Sequence, residues 1–258
     1  IIQESIHEPP SPTEKLIISA SRLIAKRIKE KGIETILAGI GVSHITAWLV
    51  HKRLQAEGVP IKLLTETGYY GYEPIEGDPY IFNFGNLYTN SKQSSFIEIL
   101  GQFVADPLHP CMAILSGAQI DELGNINSTK IPEKNVYLTG SGGANDIASV
   151  AADVVAMMNG NSKKFVKQVP YVTSPGDKVS TIFTNVAVLT RENSEDGFTV
   201  SNWIPSEENG SLADYKNKLS QLLPWDFDID AQAEIISEPT EQELKWVRAF
   251  DPQREFLQ

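Results

Sequence analysis

Apolar residues recur along this chain in two spacings, and the spacing changes at glycine and proline. The string SPTE opens the first helix, with Ser11 as N-cap, Pro12 at the first helical position and Glu14 three residues after the cap, a capping box. Leu16, Ala20, Leu23, Ile24, Ala25 and Ile28 follow at helical spacing, and Gly32 closes the helix. ETILAGI then reads as a buried strand, GIGVSH turns into a helix over Ser43–Gln55, and IKLLT is the next strand. This is a βαβ unit, which builds parallel sheets through right-handed crossovers. Residues 69–93, rich in Gly, Pro, Asn and Tyr, read as a long functional loop. A helix near 94–104, a strand CMAIL, a loop GAQIDELGNINST, a strand NVYLTG and a helix from Ala144 to Met158 continue the pattern. The last third carries strand patterns in TIFTNVAVLT and GFTVSNW and helices near 212–222 and 240–249. No repeat, low-complexity linker or composition break interrupts the chain. The expectation is an N-terminal arm over 1–12 and a single α/β domain over 13–258.

Composition narrows the function. The 258 residues are 41% hydrophobic and 21% charged, ordinary for a globular protein. A net charge of -11 and a pI near 4.9 argue against a nucleic-acid surface, which needs clustered Lys and Arg. The single cysteine, Cys111, excludes an internal disulfide and a multi-cysteine metal site, and sits in the apolar run CMAIL as a buried, inert core residue. A reducing cytoplasm is the simplest compartment. No apolar run approaches the roughly 18 residues of a membrane span, and no signal-peptide pattern is visible.

Two strand–glycine–helix junctions, LAGIGVSH and YLTGSGGANDIAS, invite a dinucleotide reading that neither satisfies. The position of the third fingerprint glycine holds His44 in the first and Asn145 in the second. Two readings remain open: tight turns where backbone passes close to a helix, or backbone N–H groups at a helix N-terminus suited to an oxyanion or thioester carbonyl. Asp146, in the first turn of its helix, is placed to hold the loop against the helix dipole. Ser141 is not in a G-x-S-x-G elbow. His7, His44, His51 and His109 show no metal-ligand spacing, so no metal site and no triad base are expected. PSEENGS at 205–211 reads as a solvated turn.

Glu66 stands apart. It closes an apolar strand, and open α/β sheets bind ligands outside the carboxyl ends of their strands. Gly68 permits a sharp turn, and Tyr69, Tyr70 and Tyr72 follow. A carboxylate here is either a solvated turn residue or a nucleophile for an activated acyl group. The second role needs an oxyanion site and shielding from water, which glycine junctions and a tyrosine-rich loop could supply.

The strings GAQIDELGNINSTKI and VYLTGSGGANDIAS, in this order, resemble the β subunit of family I CoA-transferases, closest to the glutaconate CoA-transferase type. GIG before the second helix and TEQELKWVRAFDPQREFL near the C-terminus are similar to the same family. Glu66-Thr67-Gly68 falls where that family carries its catalytic Glu-x-Gly, although the familiar Ser-Glu-Asn-Gly is here Thr-Glu-Thr-Gly. The look-alike SEENG at 206–210 has an extra Glu and lies on the wrong side of the Gly-Gly-Ala loop.

The resemblance implies an open three-layer α/β/α fold with a mainly parallel sheet. It implies an α subunit as partner, in a heterodimer or heterotetramer with the active site at the interface between the two. It implies transfer of CoA between carboxylic acids through a Glu66 anhydride and a glutamyl-CoA thioester, with an acyl-CoA thioester as substrate and no permanently bound cofactor. Asn127 and Gly143, with Gly142 beside it, become oxyanion or thioester candidates, and Gly39 and Gly41 frame a second pocket. Tyr69, Tyr70 and Tyr72 either wall the acyl pocket or pack on the partner. Alternatives on the same scaffold are a CoA-thioester hydrolase, a C–C bond hydrolase or a decarboxylase. A non-catalytic partner subunit is a further reading, against which the intact Glu66 and glycine loops argue.

Overall fold

A computed structural model of the chain describes residues 8–206 and 210–258. Its elements run α1 (Pro12–Lys31), β1 (Thr35–Ala38), α2 (Val42–Ala56), β2 (Lys62–Leu64), β3 (Tyr69–Tyr72), α3 (Gly85–Thr89), β4 (Lys92–Gln93), α4 (Phe96–Glu98, continued by a π-helical turn Ile99–Val104) and β5 (Cys111–Leu115). Then follow β6 (Gln119–Ile120), β7 (Ile126–Asn127), β8 (Lys130–Ile131), β9 (Val136–Tyr137), α5 (Ala144–Val150), β10 (Asp153–Met158), β11 (Val179–Thr184), β12 (Ala187–Thr190), β13 (Thr199–Trp203), α6 (Leu212–Leu222), β14 (Asp228–Ile235) and α7 (Glu241–Phe250). Two compact units form: one runs to Ile114 and takes in Glu238–Gln258, and the other is Leu115–Ser237.

In the first unit the strands lie in the order β5-β1-β2-β3-β4. β1 is parallel to both β5 and β2. β2 and β3 are antiparallel, because the few residues between them are too short for a crossover. The segment 69–93 is therefore not loop throughout. It contributes β3, α3 and the edge strand β4, whose Lys92 and Gln93 suit an exposed edge.

The helices of this unit follow their sequence signals. The Ser11 capping box is present, and Gly32 ends α1 in the left-handed region at φ 64°. Glu14 has a second task that its spacing did not announce. Its carboxylate accepts from Arg248 Nε at 2.7 Å and Nη2 at 2.9 Å, with both side chains almost fully buried, which fixes α7 against the start of α1. α2 packs on α1, α7, β1 and β2, and its buried residues include Ile45, Trp48, Leu49 and Leu54. Glu243 in α7 caps its own helix through Thr240 and accepts from Arg22 and Arg53 at 2.5 Å. Burial pushes its carboxyl up, but the bonds from Arg22, the Thr240 N–H and Arg53 outweigh this and hold it at about 2.

Three buried aromatic side chains form one directed chain of hydrogen bonds. His44 Nδ1 lies 3.0 Å from the carbonyl of Pro79, so that nitrogen carries the proton. His44 Nε2 is then an acceptor, and the Tyr72 hydroxyl, 2.9 Å away, donates to it. Tyr72 Oη accepts in turn from Trp48 Nε1 at 3.3 Å. Burial lowers the His44 imidazole from 6.5 to about 4, against the opposing pull of the Pro79 carbonyl and Asp78.

In the second unit β10 and β11 are parallel, β11, β12 and β13 are antiparallel, and β14 returns parallel to β13. The run TIFTNVAVLT is split between β11 and β12, with Thr184 Oγ1 accepting the N–H groups of Val186 and Ala187 at the turn. The expected helix Ala144–Met158 is corrected. It ends at Val150, and Asp153–Met158 is a strand with every residue buried. A short apolar run buried on both faces has no period to separate strand from helix, and Val154-Val155 favours the strand. The expected strand NVYLTG is reduced to the exposed pair Val136–Tyr137.

Glu14→Gln leaves Arg248 buried without a countercharge and should cost about 3–5 kcal/mol by urea denaturation; a loss under about 1 kcal/mol would contradict the pairing. The His44 base gives a pH test. The unfolded chain takes a proton near 6.5 and the folded chain only near 4, so the stability from neutral His44 is complete above pH 6.5 and drains as pH falls toward 4. Wild type should lose up to about 3 kcal/mol more than His44→Gln over that window; equal pH slopes in the two proteins would refute this.

Candidate active site

Glu66 sits at the tip of the β2–β3 hairpin in a loop of Glu66, Thr67 and Gly68. Thr65 N–H donates to the Tyr69 carbonyl at 3.0 Å, and Gly68 N–H donates to the Thr65 carbonyl at 3.1 Å. Gly68 adopts φ 109°, a glycine-favoured bulge that closes a three-residue loop. The spacing Glu-x-Gly is thus the spacing of a turn and its bulge. A second segment presses on the loop: Ser94 N–H donates to the Gly68 carbonyl at 2.8 Å. A Cβ on Gly68 would lie 2.2 Å from the Ser94 carbonyl oxygen. Glu66 is half-buried.

The glycine turn Gly39-Ile40-Gly41 leaves β1, the parallel neighbour of β2. Leu37 pairs with Leu64, so this turn and the Glu66 loop leave the same end of adjacent strands at the same level. This is the carboxyl edge where open α/β sheets place ligands. Gly41 has φ 72° and heads α2 with no side-chain cap, and a Cβ there would touch the Phe256 ring at 3.4 Å. Gly39 serves the turn itself: its N–H donates to the Ile114 carbonyl at 2.8 Å and is not open to a thioester. Ile40 between them is 58% exposed.

The tyrosine cluster divides. Tyr69 and Tyr70 stay half-buried, and Tyr70 stacks on Phe103 with ring centroids 4.5 Å apart. Tyr72 is 1% exposed, and its hydroxyl is engaged with His44 and Trp48, so its place is the core and not a pocket wall.

In the other unit Asn127 anchors its own loop. Its Nδ2 donates to Gln119 Oε1 at 2.9 Å and to the Lys130 carbonyl at 2.8 Å, which uses both amide hydrogens. Its Oδ1 accepts from the N–H groups of Thr129 and Lys130. Asp121 does similar work for the same motif, accepting from the N–H groups of Leu123, Asn125 and Val169. Gly142 and Gly143 lead into α5, with Gly142 exposed and Gly143 buried. Asn145 Nδ2 and Ser174 Oγ tie that junction down, through the carbonyls of Thr173 and Ala144.

The remaining candidates stay structural. Burial raises the Cys111 thiol from 9.0 to about 11, as an inert core cysteine requires. Among the described residues no three His, Cys, Asp or Glu side chains group to hold a metal, and no helix is long and apolar enough to cross a membrane. Residues 207–209 of the SEENG look-alike, and His7, lie outside the described residues. Thr65, Thr67 and Ser94 were missed as parts of the site. The first two had a signal, hydroxyls flanking a turn before glycine; Ser94 had none.

The family model described as Coenzyme A transferase matches residues 80–205. Over that span, just under half of the chain, the sequence is similar to coenzyme A transferases. The match starts downstream of Glu66 and bears out the resemblance read from the glycine loops. Among curated proteins, one of the subunits of glutaconate CoA-transferase from Acidaminococcus fermentans is 34% identical over 165 residues, 59% of this chain and 58% of that protein. The chain thus spans little more than half the length of that relative. The crystal structure of glutaconate coenzyme A-transferase from Acidaminococcus fermentans has the same α/β fold, with a TM-score of 0.77 at 22% identity over 96% of this chain and 97% of that one. The fold is also that of the decarboxylase AibA/AibB, with a TM-score of 0.73 at 15% identity over 96% of this chain and 97% of that one.

The Gly68–Ser94 approach is directly testable. Gly68→Ala should destabilise the protein by about 2 kcal/mol or more, from both backbone strain and the clash. Gly58→Ala, at φ 72° with nothing within 4 Å of its Cβ, isolates the strain alone. Equal losses in the two variants would remove the Ser94 constraint.

Proposed function

We propose that this chain is the β subunit of a family I CoA-transferase, with Glu66 as its covalent nucleophile. One Glu66 oxygen attacks the thioester carbonyl of an acyl-CoA, the C–S bond breaks, and CoA leaves as thiolate with the bonding pair. The product is a mixed anhydride between Glu66 and the acyl group. The thiolate then attacks the Glu66 carboxyl carbon and expels the first acid as its carboxylate, leaving a glutamyl-CoA thioester. An acceptor carboxylate takes CoA by the reverse steps. Anhydride and thioester are both activated acyl groups, so neither exchange loses much free energy, and no permanently bound cofactor is needed.

The observation that carries this reading is the position of Glu66: half-buried, on a locked three-residue loop, level with a glycine turn at the carboxyl edge of two parallel strands. An α subunit, in a heterodimer or heterotetramer, is proposed as the partner, because the Acidaminococcus relative is named as one subunit of its CoA-transferase. Cytoplasmic residence fits the buried free thiol. A hydrolase or decarboxylase on the same fold is the competing reading, and Glu66 itself favours transfer.

The test is mass spectrometry of the αβ complex after acyl-CoA and borohydride. Reduction of the Glu66 carboxyl to an alcohol is expected only when acyl-CoA is supplied. Glu66→Ala should lose more than about 10³-fold in transfer rate; full transfer activity in that variant would exclude the mechanism, and free acid without acyl exchange would mark a hydrolase.

A further inference from the structure

The side chains that hold the Glu66 loop are its own neighbours. Thr65 is fully buried and makes four hydrogen bonds within the hairpin. Two are through its backbone, to the Tyr69 carbonyl and from the Gly68 N–H. The other two are through Oγ1, which accepts the Tyr69 N–H at 3.2 Å and lies 2.7 Å from Thr67 Oγ1. The two hydroxyls therefore bridge across Glu66, joining the residue before it to the residue after it. One of them must supply the proton. Thr65 Oγ1, already an acceptor, has one hydrogen and one lone pair left for the bridge. Threonine χ1 is stiff, so a bridge between two threonines fixes backbone as well as side chains. Ser94 holds the far corner of the loop through Gly68.

We infer that the Thr65–Thr67 hydroxyl bridge is a positioning device for Glu66, holding its backbone in one place through both halves of an acyl exchange. The inference rests on Glu66 being the nucleophile. In that reading the same carboxyl is first nucleophile, then electrophile, and is covalently loaded in between. Thiolate and acceptor acid must each meet its carbonyl carbon at bonding distance and angle. A hairpin tip free to rock would spoil that geometry, and misplacement by about 1 Å can cost about 10²-fold in rate. The bridge supplies local rigidity where the chain is otherwise a three-residue tip. Thr65 is a positioning residue: its hydroxyl is fully buried against its own hairpin.

The test uses the αβ complex with Thr65→Val, Thr65→Ser, Thr67→Val and Thr67→Ser. Valine keeps the branched shape and removes the hydroxyl, and serine restores it. Thr67→Val is the critical variant, because Thr67 is exposed and its loss leaves the Tyr69 N–H bond to Thr65 in place. The readouts are kcat, KM, thermal midpoint, and the single-turnover rate of glutamyl-CoA formation by quench and mass spectrometry. Both valine variants should slow thioester formation and kcat by about 10- to 10²-fold. KM should stay within about threefold, the thermal midpoint of Thr67→Val should be unchanged, and the serine variants should recover most of the rate. The double valine variant should be no slower than the worse single one, since either removes the same bridge. Wild-type kcat in Thr67→Val would overturn the inference, as would a rise in KM at constant kcat, or a rate loss that serine does not rescue. Glu66→Ala separates the two claims. If it retains activity, the nucleophile reading fails; if it is inactive while Thr67→Val turns over normally, only the bridge fails.

Discussion

The Tyr72 hydroxyl is the point on which the first unit is registered. Tyr72 pairs with Leu63 across the β2–β3 hairpin, and its buried Oη joins Trp48 and His44 of α2. A strand slipped by one residue turns every side chain to the other face. Here a slip would bury a phenol without partners and leave the Trp48 and His44 nitrogens unmatched, a cost of about one to three kcal/mol for each orphaned group. The pairing shifts by one residue between Leu63 and Leu64, so this bond sets the face that Tyr72 presents, while the tip is closed by its own bonds between Thr65, Gly68 and Tyr69.

The same chain of bonds reaches beyond the hairpin. His44 Nδ1 holds the Pro79 carbonyl, and so anchors the segment that continues to Phe82, Phe84 and Tyr88. Those three side chains are 64%, 78% and 85% exposed, an apolar surface of the kind that marks an interaction site. Core polarity thus reaches from the hairpin to an apolar surface.

The two families of glycine and asparagine signals proved to do different work. Around Glu66 the glycines serve backbone geometry. Gly68 lets backbone meet backbone at Ser94, and Gly41 opens the turn into α2. In the GAQIDELGNINST segment the polar residues are consumed internally. Asp121 and Asn127 fold their own loops, and Gly176 admits the Leu123 carbonyl where a Cβ would stand 2.2 Å away.

The sequence by itself determined what depends on near neighbours. The α1 capping box, the Gly32 stop, the α2 helix and the turn at Glu66-Thr67-Gly68 all follow from residues within a few positions, whose energies are local. It also carried the family resemblance, through the order and spacing of its loops. Tertiary structure alone decided what depends on distant partners. Ser94 against Gly68, Arg248 on Glu14 and Tyr72 between two helix residues join positions 26, 234 and up to 28 residues apart. It also decided Asp153–Met158 as strand, because a fully buried run shows no polar face from which a period could be read. The carboxylate at position 66 and the hydroxyls flanking it were legible from the string; the Ser94 contact with its loop was not, because a backbone hydrogen bond between distant segments leaves no mark in hydrophobic spacing.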